Sequence, residues 1–219
     1  MPQSLITITS AEVIDLRVPT SDQMLGSDPF HKAPDYSSAV LHLETDSDLR
    51  GVSVVFTIGA GTDWMCHGIR DLCQLVVGTQ LNEFISSPIQ LYRRLIDHHQ
   101  LRWLHDGVFR MAAGAVLNAM WDLWAKSLNQ PLWKLLVDLE PEFVADCIDW
   151  RNLGDALTRE EAIALLQARR AEVPQREAAM ATRGPKAYCT AGWLGLSDEE
   201  ILATIRKLQA QGFDAFKLK

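Results

Sequence analysis

The sequence predicts an α+β domain followed by parallel βαβ units, and the order of its hydrophobic patterns carries this prediction. Up to residue 138, segments with strand periodicity come first and segments with helical periodicity follow, which is typical of an α+β domain. After residue 138, apolar runs of strand length alternate with helical segments, which is typical of parallel strands joined by helices. We therefore predict two domains, residues 1–138 and 139–219.

Three segments of the first domain alternate apolar and polar residues and are rich in β-branched residues: 4–18, 39–44 and 51–57. Alternation with period two is typical of strands with one buried face, and the short polar turn after residue 44 joins the last two into a hairpin. Residues 19–36 contain three prolines and one glycine and have neither period. A loop this long without regular structure is typical of a binding lid or a disordered segment.

Helical periodicity follows in residues 62–77, 87–99 and 107–128, with a further short helix expected from Pro131. Apolar residues surround most of the segment 107–128, so we expect this helix to be buried.

The second domain is predicted to contain strands at residues 143–150, 186–193 and 213–219. The first of these is a continuous apolar run, which is typical of a strand covered on both faces. Helices between the strands begin at Thr158 and Ser197, each followed three residues later by Glu; this spacing forms a capping box.

Composition excludes several function classes. The net charge is −7 and the isoelectric point is about 5.3, which argues against nucleic acid and anionic membranes as partners. The chain has no apolar run near the roughly 20 residues of a membrane span, and its first residues lack the pattern of a signal peptide. We expect a cytoplasmic protein whose four cysteines are buried free thiols.

The final strand carries Lys217 and Lys219 on one face, because side chains alternate along a strand. The C-terminal ends of parallel strands carry the chemistry in open α/β sheets and in barrels. Two ammonium groups close together in a partly dry site lower each other's pKa, which makes an amine a usable base. The alternative is a solvated strand end whose lysines discourage aggregation.

Several stretches along nearly the whole chain resemble the enolase superfamily, in its mandelate racemase subgroup, and the L-fuconate dehydratases in particular. The helix that contains NAMWDLWAK is typical of the superfamily, and the segments CIDWR and GWLGLSDEE are typical of the dehydratases. The matching stretches are RVPTSDQMLGSDPFHKAPDYSSAV, DHHQLRWLHDGV, AAGAVLNAMWDLWAKSLNQPLWKLLVDLEPE, CIDWRNLGDALTREEA, AYCTAGWLGLSDEE and the terminal FKLK.

This resemblance implies a capping domain, with an antiparallel three-stranded sheet and a helical bundle, followed by the start of a (β/α)₇β barrel. It implies Mg²⁺-assisted removal of the proton alpha to a sugar-acid carboxylate and loss of the 3-hydroxyl as water, which yields a 2-keto-3-deoxy sugar acid. A Lys base with Mg²⁺ is a known pairing in enolase-superfamily sites.

The resemblance also assigns roles to individual residues. Lys219 is carried over as the base, and Lys217 as the neighbour that contacts the substrate carboxylate and favours the neutral amine of Lys219. The proline-rich loop corresponds to the specificity lid, in which the positions of substrate contacts are Gly26, Ser27, Asp28 and Tyr36.

The chain departs from the family where it ends, at the second lysine. The metal ligands and the His–Asp dyad of the family lie on later strands, so we expect no metal ligands in this sequence. We interpret it as an N-terminal fragment (a truncated open reading frame, a split gene or a deliberately shortened chain) that is inactive alone. The alternatives are a dehydratase for another aldonate and a non-catalytic interaction module; the family also suggests a homo-oligomer.

Overall fold

The structure is a computed structural model that describes residues 5–104, 106–185 and 187–219. Two compact units are present: one is formed within residues 1–16, 39–55 and 61–173, and the other by residues 17–38, 56–60 and 174–219. The predicted strand starts at residues 4 and 186 lie outside the described residues. The predicted boundary at residue 138 stays a prediction.

The strands and helices follow the predicted order up to residue 138 and depart from it after that residue. The strands are β1 Ile8–Leu16, β2 Ser37–Thr45, β3 Arg50–Thr57, β4 Cys189–Gly192 and β5 Phe216–Leu218. The helices are α1 Thr62–Cys73, α2 Leu81–Ser86, α3 Pro88–Ile96, α4 Val108–Ser127, α5 Leu132–Asp138, α6 Pro141–Asp146, α7 Arg159–Arg170, α8 Val173–Arg183 and α9 Asp198–Ala210. In the part of the chain that is described, no helix has the length and apolar character that crossing a membrane requires.

The first unit is built on an antiparallel sheet in the order β1-β2-β3. Strand β2 buries alternate residues, Ala39, Leu41 and Leu43, all of which are fully buried, because side chains of one parity share a face. The predicted hairpin and the three-stranded sheet are therefore confirmed.

Helix α4 is the central helix of the first unit. Buried residues lie around most of its circumference, among them Val116, Ala119 and Leu123, each 0% exposed. Its Trp121 and Trp124 rings stack with centroids 5.1 Å apart. The prediction of a buried helix over this segment is confirmed.

The second unit contains a parallel pair, β4 and β5, joined by α9. Helix α9 begins with the predicted capping box, in which Ser197 N–H donates to Glu200 Oε2 at 2.8 Å and Glu200 N–H donates to Ser197 Oγ at 3.2 Å. The βαβ unit is confirmed, although its strands are short. Leu218 of β5 is 60% exposed.

The predicted strand at 143–150 is wrong. Helix α6 spans Pro141–Asp146, and a 3₁₀ turn follows at Trp150–Asn152. Pro141 occupies the first helical position, where its fixed φ favours a helix and its missing N–H costs nothing. Trp150 Nε1 donates to the carbonyl of Ala145 at 2.9 Å, which holds the chain in a compact turn instead of an extended strand.

All four cysteines are free thiols. Cys66 and Cys73 are buried as predicted, and burial raises the pKa of the Cys73 thiol to about 12. Cys147 and Cys189 are only partly buried, so the prediction holds for two of the four.

Candidate active site

Lys219 lies directly after β5 and meets the proline-rich loop. Its Nζ donates to the Gly26 carbonyl and to the Tyr36 hydroxyl, the latter at 2.7 Å. The ammonium nitrogen also lies 5.1 Å from the centroid of the Tyr36 ring, within the range of a cation–π contact. These partners are separated from Lys219 by 193 and 183 residues of sequence, so the fold brings together groups that no local pattern connects.

The loop is ordered by its own side chains. Thr20 Oγ1 donates to the Pro34 carbonyl at 2.7 Å and accepts from Tyr36 N–H at 2.9 Å. Ser21 donates to Asp35 Oδ1 through its hydroxyl at 2.6 Å and its N–H at 3.1 Å, and these bonds hold the pKa of the Asp35 carboxyl below its usual value. The two ends of the loop are therefore tied together next to Tyr36.

Gly26 allows the close approach of Tyr36. Its φ is +66°, and a Cβ placed there would lie 2.5 Å from Tyr36 Cε2 and 2.9 Å from the hydroxyl oxygen. The hydroxyl donates to the Gly26 carbonyl at 2.5 Å. A side chain at this position would therefore force Tyr36 away from Lys219.

We expect Gly26→Ala to destabilise the second unit and to separate Tyr36 from Lys219. Gly212→Ala is the matched control, since its φ is +93° and a Cβ there meets nothing within 4 Å. The left-handed backbone should cost about 1 kcal/mol in both variants, and the overlap with Tyr36 about 1–3 kcal/mol more in Gly26→Ala. Chemical denaturation measures the difference, and equal losses in the two variants would show that Tyr36 moves aside freely.

The other residues assigned to the site have different partners. The Ser27 side chain is buried and its hydroxyl donates to the Leu194 carbonyl at 3.3 Å. Asp28 Oδ1 accepts from the N–H groups of Phe30 at 2.9 Å and His31 at 2.8 Å. Backbone hydrogen bonds, that of His31 first, hold the pKa of Asp28 below its usual value. Both side chains thus stabilise the loop.

Lys217 does not share the partners of Lys219. Its Nζ lies 5.9 Å from the centroid of the Tyr188 ring. The structure therefore brings together Gly26, Tyr36 and Lys219, and engages Ser27, Asp28 and Lys217 with other groups.

A cavity of about 400 Å³ adjoins Lys219 and is lined by His31, Tyr36, Phe56, Ile58 and Lys219. The Tyr36 and Phe56 rings lie 5.5 Å apart. Sequence reasoning did not find His31, Phe56 or Ile58 as site residues. For Phe56 and Ile58 the available signal was the alternation of apolar residues at the end of β3 and just after it. In the structure Phe56 is 57% and Ile58 45% exposed.

Potential metal ligands cluster elsewhere in the described ranges. Glu12, His42 and Glu44, in the first unit, place their ligand atoms within 4.8 Å of one another. His42 Nδ1 already lies 3.3 Å from Glu12 Oε2, and Arg50 Nε lies 3.5 Å from Glu44 Oε1. This set suits cross-strand ion pairs better than Mg²⁺, which prefers oxygen ligands in octahedral geometry.

The residues that line the Lys219 cavity do not fit a magnesium ion either. They are one imidazole, one phenol, one ammonium and two apolar side chains, and none of these is a carboxylate. We therefore derive no catalytic step through a metal ion bound by these residues.

Comparison with known proteins gives this architecture a family. The profile of the mandelate racemase / muconate lactonizing enzyme N-terminal domain matches residues 6–137. This chain belongs to that family. The predicted membership of the enolase superfamily and the predicted capping-domain fold are thereby confirmed.

Members with longer chains match nearly the whole sequence. L-galactonate dehydratase of Hypocrea jecorina is 41% identical over 99% of this chain and 49% of its own length. The crystal structure of human mitochondrial enolase superfamily member 1 superposes with a TM-score of 0.94 at 38% identity, over 98% of this chain and 50% of that one. The chain therefore spans about half the length of these relatives.

A solved structure of lower sequence identity shows the fold alone. It is the L-talarate/galactarate dehydratase from Salmonella typhimurium LT2 liganded with Mg and L-lyxarohydroxamate, with a TM-score of 0.60 at 15% identity over 98% of this chain and 44% of that one.

Proposed function

We propose that the protein is a sugar-acid dehydratase of the L-fuconate type and that Lys219 is its base. The observation that supports this most directly is the position of the Lys219 amine, which borders the cavity next to the loop that resembles the family's lid. The similarity to L-galactonate dehydratase supports a sugar acid as the substrate class.

In the proposed reaction, the Lys219 amine removes the proton from carbon 2, and the electron pair of that C–H bond moves toward the carboxylate. That electron pair then forms the double bond between carbons 2 and 3 as the bond from carbon 3 to its hydroxyl breaks, and the hydroxyl leaves as water with a proton from solvent. The resulting enol becomes a 2-keto-3-deoxy acid when its hydroxyl loses a proton and carbon 3 gains one. We propose that Lys217 contacts the substrate carboxylate.

A bound Mg²⁺ would supply stabilisation of developing negative charge, which is usually the largest catalytic term, but the side chains that line the Lys219 cavity do not fit this ion. A role for Gly26, Ser27, Asp28 and Tyr36 as substrate contacts stays a prediction, as do the cytoplasmic location and the homo-oligomer. L-Galactonate is the second candidate substrate, because the relative named for it is 41% identical.

A substrate screen tests this proposal. The protein expressed from its complete native gene is incubated with Mg²⁺ and single sugar acids, L-fuconate and L-galactonate first, and 2-keto acid formation is measured with semicarbazide. Exchange of the carbon-2 proton in D₂O is followed by NMR. Preference for L-fuconate supports the proposal, and preference for L-galactonate replaces the proposed substrate. If no acid gives either a 2-keto acid or exchange of the carbon-2 proton, the proposal is overturned.

A further inference from the structure

We propose that Tyr36 is a positioning residue that sets the direction of the Lys219 lone pair, an inference that rests on the proposed role of Lys219 as the base. The resemblance to the family implies that Tyr36 contacts the substrate. In the structure, however, its hydroxyl donates a hydrogen bond to the Gly26 carbonyl and accepts one from Lys219 Nζ.

The donors and acceptors of Tyr36, Gly26 and Lys219 match in number. The Tyr36 hydroxyl has one proton, and the bond of 2.5 Å to the Gly26 carbonyl uses it. The hydroxyl oxygen is then an acceptor toward Lys219 Nζ, at 2.7 Å. The Gly26 carbonyl accepts from the same amine through its second lone pair.

Two acceptors are the number that a lysine base needs. A neutral amine has two N–H groups and one lone pair, and the carbonyl of Gly26 and the hydroxyl of Tyr36 accept both N–H groups. The lone pair then occupies the remaining tetrahedral direction. When the amine takes the proton from carbon 2, the new N–H occupies that same direction, so the two existing bonds need not rearrange during the transfer.

The surroundings hold Tyr36 in this position. Its backbone N–H donates to Thr20 Oγ1 at 2.9 Å, and its ring centroid lies 5.5 Å from that of Phe56. The ring also lies against Gly26, where a Cβ would come 2.5 Å from Tyr36 Cε2. Phe56 and Ile58 give the cavity next to Lys219 two apolar walls.

The Tyr36 hydroxyl can be deleted while the aromatic ring is kept. Tyr36→Phe keeps the aromatic packing and the cation–π contact, whose ring centroid lies 5.1 Å from Nζ, and deletes one acceptor of the amine. Tyr188→Phe is the matched control, because it deletes the hydroxyl of the tyrosine whose ring lies near Lys217.

The experiment uses the protein expressed from its complete native gene, after the wild type has been shown to remove the carbon-2 proton. In Tyr36→Phe we expect kcat to fall by about 10- to 100-fold, since misplacement of a catalytic group by about 1 Å can cost 100-fold. KM should change by less than about threefold, because an interaction that orients the base contributes in the transition state and not to ground-state binding. The kinetic isotope effect with substrate deuterated at carbon 2 should increase, because proton removal becomes slower relative to the other steps.

A second readout does not depend on activity. With ¹³C- and ¹⁵N-labelled lysine, NMR relaxation of the Lys219 side chain should report restricted motion in the wild type and in Tyr188→Phe, and clearly freer motion in Tyr36→Phe.

Three results would overturn the inference. One is an unchanged kcat with a raised KM, which would make Tyr36 a substrate contact. The second is an equal loss of kcat in Tyr188→Phe, and the third is unchanged mobility of Lys219 in Tyr36→Phe. A wild type that removes no carbon-2 proton from any sugar acid would instead refute the proposed function itself, before any variant is compared.

Discussion

Lys219→Met is expected to lower turnover of the sugar acid by about 1,000-fold or more, because general-base catalysis contributes about 100- to 10,000-fold and the variant also loses its contacts to Gly26 and Tyr36. Methionine keeps an unbranched side chain of similar length, so the apolar packing of the stem is largely retained. Both 2-keto acid formation and exchange of the carbon-2 proton in D₂O should fall together, since both require removal of this proton.

Lys217→Met is the matched control for this prediction. Its ammonium faces Tyr188 instead of the Gly26–Tyr36 pair, and we propose that it binds the substrate carboxylate. We therefore expect mainly a higher KM, with proton exchange retained at saturating substrate. If Lys219→Met kept exchange at the wild-type rate, or if Lys217→Met alone abolished it, the base would have been assigned to the wrong lysine.

The sequence predicts the first unit well because periodicity there reflects one buried face. The alternation of β2 and the apolar residues around α4 are direct consequences of burial on one sheet face and around a central helix. The apolar run at 143–150 was wrongly predicted as a strand for a physical reason. Its length and apolar character suit a buried strand or a short helix equally, and Pro141, which precedes the run, favours the helix.

The candidate site was predictable only in part. Alternation along the last strand indicates that Lys217 and Lys219 lie on one face, but not that Lys217 faces Tyr188 while Lys219 reaches Tyr36. A loop rich in polar groups suggests ligand contacts, whereas the hydroxyl of Ser27 is committed to the Leu194 carbonyl. The pairings of Ser27 with Leu194 and of Lys219 with Tyr36 depend on contacts across more than 100 residues, and local pattern carries no information about them.

Gly51→Ala is expected to lower the free energy of unfolding by about 3 kcal/mol, the upper part of the usual range for overpacking. A Cβ at Gly51 would lie 2.3 Å from the carbonyl oxygen of Ala119 in α4 and 3.2 Å from Leu123 Cβ. The helix carbonyl cannot turn away without losing its own hydrogen bond. The strand cannot retreat easily, because the N–H of Val52 donates to Asp122 Oδ2 at 2.7 Å.

Gly114→Ala separates this effect from the general consequences of replacing a glycine. Gly114 lies within α4, and a Cβ there would meet nothing within 4 Å. Since glycine is about 0.8–1.0 kcal/mol less favourable than alanine inside a helix, we expect this variant to be more stable than the wild type. Urea denaturation should therefore move the two midpoints in opposite directions with similar m values. A loss below about 1 kcal/mol in Gly51→Ala would contradict the prediction, because it would mean that β3 and α4 can move apart at little cost.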